Sequence, residues 1–299
     1  MISVIICSVN PKLLEQIKLN ISSTIGVEHE FVVYDNRIDK CGINKVYNLC
    51  ARRSKYDYCC FVHEDVIFDT DNWGKILIDF YQKNSLAGVT GFAGSKIALR
   101  NFISWRTNTI FDRYNYYECL TGAETYKHIA FNPDKELFSR VVVLDGFFLF
   151  VKKSIVFEKP FDENTFKGFH MYDADFSLSI SEKYRNYVNH NIKAKHLSKG
   201  SYDINYFGSL MLFHGKRSSK IYYSDDVIYS RYEFFKTEMR LAFVLLKCLY
   251  KRYGLLFALL YIVKFNFINF VMASFAFISF ILYCIRKYLI DIKNNKFAN

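Results

Sequence analysis

The sequence has few residues that break regular structure: 3 prolines and 13 glycines in 299 residues. This excludes a proline-rich linker or a disordered chain, because half of the residues are hydrophobic and can build a sizeable core. Paired cysteines are also missing. Cys7, Cys41, Cys50, Cys59, Cys60, Cys119, Cys248 and Cys284 form no C-x-x-C spacing. A structural zinc site therefore has no support, and the thiols read as reduced and buried in a cytosolic protein. Neither G-x-G-x-x-G nor G-x-x-x-x-G-K-[ST] occurs, so a classical dinucleotide site and a P-loop are both unsupported. Acidic residues are in deficit, with 29 Asp and Glu against 40 Lys and Arg, a net charge of +11. Nucleic acid, anionic lipid or a phosphorylated ligand would each suit that excess, and charge alone does not choose among them.

Aromatics and apolar runs are plentiful, with 23 Tyr and 30 Phe. "ISVIICSV" (2–9) is a continuous apolar run of the kind that forms a buried parallel strand. No basic residue precedes it and no small-residue cleavage site follows, so it reads as a strand and not as a signal peptide. "NPKLLEQIKLNISSTI" follows, with Asn10 as N-cap, Pro11 at the first helical position and Leu13, Leu14, Ile17 and Ile21 as the apolar face. Strands at 30–36, 56–66 and 86–94 alternate with helices at 42–54 and 72–84. Such alternation implies an α/β fold with a parallel, doubly wound sheet, whose ligands lie at the carboxyl ends of the strands. The polar strand ends are Ser8 to Asn10, Asp35-Asn36 and His63-Glu64-Asp65, and they gather on one edge. Residues 95–140 lose the alternation and read as a long irregular insert, aromatic and basic. Residues 140–155 read as a strand pair broken at Asp145-Gly146.

Three groups have the chemistry of a site. In "FVHEDVIF" (61–68) a buried strand is interrupted by an imidazole and two carboxylates. Carboxylates there are costly unless compensated, and a divalent cation on a phosphorylated ligand compensates them. Strand alternation would put His63 and Asp65 on one face and Glu64 on the other. The plainer reading is a solvated strand end. Asp173 and Asp175 lie in "FHMYDADFSL", a segment that fits either a strand or a helix. In a helix Asp173 falls in the first turn, where the macrodipole favours its ionised form and it can act as a general base; the plainer reading is a capping residue. His196 in "AKHLSKGS" is a candidate metal ligand or a structural histidine, and Lys199 and Gly200 are a weak candidate for a phosphate-facing loop.

In order, "SVIICSVN", "FVVYDN", "GINKVYNLCARRSKYDYCCFVHEDV", "LDGFFLFVKKSIV", "FKGFHMYDADFSLSI" and "KHLSKGS" resemble the family 2 glycosyltransferases of the GT-A fold, particularly bacterial enzymes of capsule and surface-polysaccharide synthesis. The resemblance covers about residues 2–205. It implies a Rossmann-like, mostly parallel sheet flanked by helices. It also implies inverting transfer from a nucleoside-diphosphate sugar, a UDP-sugar first of all, to a glycan or lipid-linked hydroxyl acceptor, with Mn²⁺ or Mg²⁺ as cofactor. By position it assigns Ser8 and Asp35 to the nucleotide, puts Asn44 and Asn48 in a helix that borders the donor site, counts Glu64 among the donor-binding residues, and has Asp145 and Gly146 line the donor-sugar and acceptor side. Asp65, His63 and His196 become the metal ligands and Asp173 the base. Two positions depart from the family pattern: His63 stands where Asp is usual, and Tyr172 where Glu precedes the catalytic Asp. The aromatic stretch with Trp105, Arg106 and Tyr114 to Tyr117 is a candidate acceptor wall or ordinary packing.

Residues 216–299 form a second region, basic and then apolar. "FNFINFVMASFAFISFILYCI" (265–285) has no charge over 21 residues and is flanked by Lys264, Arg286 and Lys287. It is long enough to cross a bilayer, and its asparagines and aromatics equally suit a helix lying in the interface. Through residues 254–285 the chain is expected at the cytoplasmic face of the cell membrane, peripheral or single-span. Nucleic acid is not expected as a partner. A non-catalytic partner protein of the same fold and a nucleotidyltransferase are the alternative readings.

Overall fold

The computed structural model describes residues 1–119, 125–197, 203–217, 219–227, 231–254, 256–258, 260–261 and 278. They divide into two units. The first comprises Met1–Ala98, Ser104–Phe213 and Tyr222–Val227; the second is drawn from the described residues of Leu99–Ile103, His214–Ile221 and Ile228–Asn299.

The first unit opens with β1 (Ile2–Ser8), α1 (Pro11–Thr24), β2 (His29–Asp35), α2 (Ile43–Arg53) and β3 (Tyr58–Val62). Strand β1 is apolar on both faces because both are covered. Ile2, Val4 and Ile6 pack with Ile17 and Ile21 of α1, while Ile5 packs with Val46, Tyr47 and Cys50 of α2. Helix α1 starts where the sequence says it should: the Asn10 side chain accepts from the amides of Lys12 and Leu13, and Pro11 follows. Both sides of β3 are equally dry, and burial pushes the Cys59 thiol up to about 12. The described cysteines are free thiols.

Next come β4 (Val66–Phe68), α3 (Trp73–Lys83), β5 (Ala87–Gly91), β6 (Ala93–Ser95), β7 (Ile97–Ala98), β8 (Asp112–Cys119) and β9 (Tyr126–Phe131). They are followed by β10 (Phe138–Val141), β11 (Val143–Leu144), β12 (Phe148–Lys152), α4 (Lys153–Glu158), α5 (Tyr172–Ser181), β13 (Arg185–Asn189) and β14 (Ala194–His196). The main sheet has seven strands in the order β10-β13-β5-β12-β3-β1-β2. β1 runs parallel to β2 and β3, and β13 parallel to β5, but β12 runs antiparallel to both β3 and β5. The sheet is therefore mixed, not wholly parallel. The turn at Asp145-Gly146 sends β12 back between the two parallel halves.

A second sheet, β11-β6-β8-β14-β4, has β9 paired to β8. It corrects the expectation of an irregular insert over 95–140. Strands β8 and β9 form an antiparallel pair from Tyr114↔Phe131 to Cys119↔Tyr126. Their polar residues hid them: β8 opens on the buried charges Asp112 and Arg113, and β9 has no buried residue, so neither shows a clean apolar alternation. Buried Arg113 donates to the carbonyls of Ile110 and Asp112 and to the Asp134 carboxylate. Asp112 accepts from Thr107 and from the Asn108 amide. Strand β3 belongs to the first sheet and β4 to the second. His63-Glu64-Asp65 is the turn where the chain passes between them, so the strand ends at Val62 and does not run through the triplet as expected.

α6 (Ile204–Arg217), β15 (Tyr222–Tyr223) and α7 (Arg231–Tyr253) complete the described elements, with β15 antiparallel to β7. In the second unit, α7 buries Leu241, Leu245, Leu246 and Leu249. Its Glu238 is buried, accepts from Asn101 at 2.9 Å, and is pushed up to about 7 by that burial. Buried His214 donates Nε2–H to the Phe102 carbonyl at 2.6 Å, which leaves Nδ1 to accept from Tyr261 Oη at 2.9 Å. No helix among the described residues is long and apolar enough to cross a membrane. Most of 254–285, on which the expectation of a membrane segment rests, lies outside the described residues, as do Lys199 and Gly200.

Candidate active site

The carboxyl ends of β1, β2 and β3 open onto a cavity of about 460 Å³. Its wall includes Cys7, Val9, Asn36, Lys40, Cys41, the turn His63-Glu64-Asp65, and Lys167 to Phe169. This is the edge where the polar strand ends were expected to gather.

Glu64 closes the end of β1. Its carboxylate accepts from Ser8 Oγ at 2.6 Å and from the amides of Val9 and Asn10 at 3.0–3.3 Å. Ser8 and Glu64 thus meet, each the other's partner, at the rim of the cavity. Asp35 stands opposite Ser8 in the β1–β2 register, with its carboxylate engaged by Arg37 through Nε at 2.8 Å and a terminal nitrogen at 2.6 Å, which lowers it to about 2. Its neighbour Asn36 lines the cavity, locked to Cys41 by bonds to both the amide and the carbonyl.

Asn44 and Asn48 are buried in α2. Asn44 donates to the Phe166 carbonyl at 2.9 Å; Asn48 donates to the Phe161 carbonyl and to Glu163, and accepts from the Phe161 amide. Their side chains pin the 161–168 segment onto the helix, where the sequence reading had them bordering the donor. Gly42 completes that junction. A Cβ there would lie 2.2 Å from the Lys167 carbonyl oxygen, so only glycine lets the two backbones meet. The segment in turn brings Lys167, Gly168 and Phe169 to the cavity. Lys40, Lys167 and Phe169 were missed in the sequence. The signal was there: each lysine stands within two residues of a glycine that a close backbone approach requires or accompanies.

The metal candidates converge. One ligand atom from each of His63, Asp65 and His196 lies within 4.8 Å of the others. His196 Nε2 is 3.5 Å from Asp65 Oδ1. Strand pairing sets this geometry: β14 runs antiparallel to β4 with His196 opposite Val66, and the Leu197 amide bonds the Asp65 carbonyl. The His196 ring stacks on Phe147 at 4.6 Å, and the Phe147 carbonyl accepts from the His63 amide. Burial, with His196 nearby, pushes His63 down to about 4, so at neutral pH it is uncharged and keeps a lone pair. Two imidazoles and one carboxylate are a donor set suited to a divalent transition ion, so the residues present fit the cation that the resemblance implies.

Asp173 lies in the first turn of α5, which settles the helix-or-strand question. The residue before that helix, Met171, is buried with φ 65°, a left-handed conformation that costs a non-glycine residue about 1–3 kcal/mol and turns the chain sharply into Tyr172-Asp173. Desolvation first, then the charge of Asp145, pushes the Asp173 carboxyl up to about 7, against backbone amides that include Ala174 and Gly146. Gly146 packs directly beneath: a Cβ there would fall 2.1 Å from Tyr172 Oη and 2.8 Å from Asp173 Cβ. Asp145 accepts from the indole N–H of Trp105 and from the Phe147 amide. The aromatic stretch therefore reaches the site through Trp105, and Arg106 lies over the Trp105 and Tyr114 rings.

A profile of the family described as "Glycosyltransferase like family" matches residues 3–200. The chain belongs to that family. No curated protein matches the chain. Among solved structures, it is similar to GalNAc-T7 with UDP, GalNAc and Mn²⁺, at 11% identity and a TM-score of 0.49, over 71% of this chain and 47% of that one. It is also similar to S. aureus TarS in complex with UDP-GlcNAc, at 12% identity and a TM-score of 0.40, over 88% and 71% of the two chains. A third is A197 from STIV, at 14% identity and a TM-score of 0.38, over 77% and 96%. The chain thus spans about half the length of the GalNAc-T7 structure.

Proposed function

We propose that this glycosyltransferase moves a sugar from a nucleoside diphosphate to an acceptor hydroxyl with inversion, using Asp173 as the base. The observation that supports this best is the shared neighbourhood of two unlike groups. The His63, Asp65 and His196 cluster sits beside a desolvated carboxyl at Asp173, linked through the contact of Tyr172 with His63.

Each residue has a task in this reading. The cavity between β1, β2 and the 167–169 segment takes the nucleoside, with Lys40 and Lys167 as its cations. His63, Asp65 and His196 would hold Mn²⁺ or Mg²⁺, which when bound neutralises charge on the leaving diphosphate. Asp173 accepts the proton of the acceptor hydroxyl as that oxygen attacks the anomeric carbon from the face opposite the diphosphate. The C–O bond to the diphosphate breaks as the new one forms, so one displacement gives inversion. A base at about 7 is half ionised at neutral pH and strong enough to take the proton. Asp145, anchored by Trp105, lies close enough to Asp173 for its charge to raise that carboxyl and make it a stronger base.

For the acceptor we propose a lipid-linked glycan of a bacterial surface polysaccharide. The supporting features are the basic excess, the apolar stretch at 265–285 and the basic residues of α7, which suit an anionic membrane face.

The test is a panel of nucleotide sugars, UDP-sugars first, with release of nucleoside diphosphate as readout, with and without Mn²⁺. One donor should turn over in a metal-dependent manner, and Asp173→Asn should abolish that turnover. Undiminished turnover in Asp173→Asn would remove Asp173 from the role of base.

A further inference from the structure

The two departures from the family pattern, His63 and Tyr172, are 109 residues apart in sequence and touch in the fold. His63 Nε2 lies 2.7 Å from Tyr172 Oη. The same hydroxyl lies 2.8 Å from the carbonyl oxygen of Gly146. Gly146 is what admits the hydroxyl, because any Cβ there would collide with it.

Hydrogen counting then fixes the proton on the ring. A carbonyl only accepts, so the single phenolic hydrogen goes to Gly146, and Tyr172 has only lone pairs left for His63. His63 Nε2 must therefore carry the ring hydrogen and donate. A ring that donates through Nε2 can ligate a cation only through Nδ1.

We propose that Tyr172 is a positioning residue that locks His63 in the Nε2–H tautomer and presents Nδ1 as its ligand to the divalent cation. The inference rests on the reading of His63, Asp65 and His196 as the cation site. Ligating histidines ordinarily owe their orientation and tautomer to a partner at the other ring nitrogen, and loss of that partner weakens metal binding about 10–100-fold. Here the partner is a phenol held in turn by a backbone carbonyl. The resulting donor set, two imidazole nitrogens and one carboxylate, favours Mn²⁺ over Mg²⁺, which prefers oxygen.

The experiment uses the full chain, stripped of metal, and two readouts. Long-range proton–nitrogen correlation spectra of ¹⁵N-histidine-labelled protein, assigned with His63→Asp, report the tautomer; the expected signal is Nε2–H with bare Nδ1. Titration with MnCl₂, followed by the electron paramagnetic resonance of free Mn²⁺, reports affinity. Tyr172→Phe should weaken Mn²⁺ binding about 10–100-fold. In a His63→Asp background the same change should cost less than about 3-fold, because no ring remains to be oriented. Equal losses in both backgrounds would make Tyr172 merely structural and overturn the proposal, as would unchanged affinity in Tyr172→Phe. An Nδ1–H tautomer in the wild-type spectrum would overturn it too, and this readout stands even if the Phe variant fails to fold. Failure of the wild-type chain itself to bind Mn²⁺ would instead sink the reading of the whole site, while the spectrum would still report on the Tyr172 contact.

Discussion

On the proposed reading, Asp173 serves catalysis at the expense of stability. Packing and Asp145 raise it to about 7, so ionised base accumulates only as the pH rises through that value. The rate of transfer under subsaturating donor and acceptor should accordingly climb with pH and reach half its plateau near 7, and a flat profile between pH 5 and 8 would contradict this. Asp173→Asn should lower kcat by about 10²–10⁴ and leave nucleotide affinity by calorimetry within a few-fold. The stability consequence has a definite sign. A carboxyl whose pKa is higher in the folded state binds its proton more tightly there, so the metal-free protein loses stability as pH rises from the ordinary Asp range to about 7. Thermal melts in chelator should show Asp173→Asn more stable than wild type at pH 8, with the gap closing toward pH 4. The sequence singles out Asp173, Asp65, His63 and His196, and the fold brings the last three, the candidate ligands, together. Asn44 and Asn48 were read as donor neighbours because α2 borders the site. Their side chains turn inward instead, a choice made by the Phe161 and Phe166 carbonyls, more than 100 residues away.

At the scale of elements, helix α2 and the 161–168 segment act together. Asn48 makes three bonds across the junction, to the Phe161 carbonyl, the Phe161 amide and Glu163. Asn48→Ala should cost about 1–3 kcal/mol in urea unfolding, since it leaves buried partners unpaired. It should also raise the donor KM more than it lowers kcat, because Lys167 and Phe169 hang from that segment. Gly42→Ala should destabilise through the collision with Lys167, by about 1–3 kcal/mol in the same assay. The elements that were readable from the sequence, β1, α1, α2, β3 and α3, carry their apolar pattern within their own residues, and α1 carries its cap as well. Strands β8 and β9 do not: β8 opens on the buried charges Asp112 and Arg113 and β9 has no buried residue, so neither shows the alternation of a half-buried strand. Helix α5 was ambiguous because it is buried nearly all round, from Ala174 to Leu178, and so shows no single apolar stripe. The antiparallel course of β12 is set by the turn at Asp145-Gly146, which marks a break without giving a direction.

At the scale of the whole molecule, a net charge of +11 and a basic C-terminal region suit an anionic partner. On the proposed reading the full chain should co-sediment with vesicles containing phosphatidylglycerol and not with purely zwitterionic ones. Binding should weaken steeply with added salt, at about 1 kcal/mol for each basic residue engaged at the surface. Deletion of residues 254–299 should reduce recovery with the membrane fraction of cells, and unchanged recovery would refute the role of the tail.

The central claim is that residues far apart in sequence form one cation and diphosphate site. Crystals of the full chain grown with UDP and MnCl₂, measured at the manganese edge, test it most directly. The account predicts an anomalous peak coordinated by His63, Asp65 and His196 with diphosphate oxygens completing the shell. A peak elsewhere, or a nucleotide bound away from these three side chains, would contradict it.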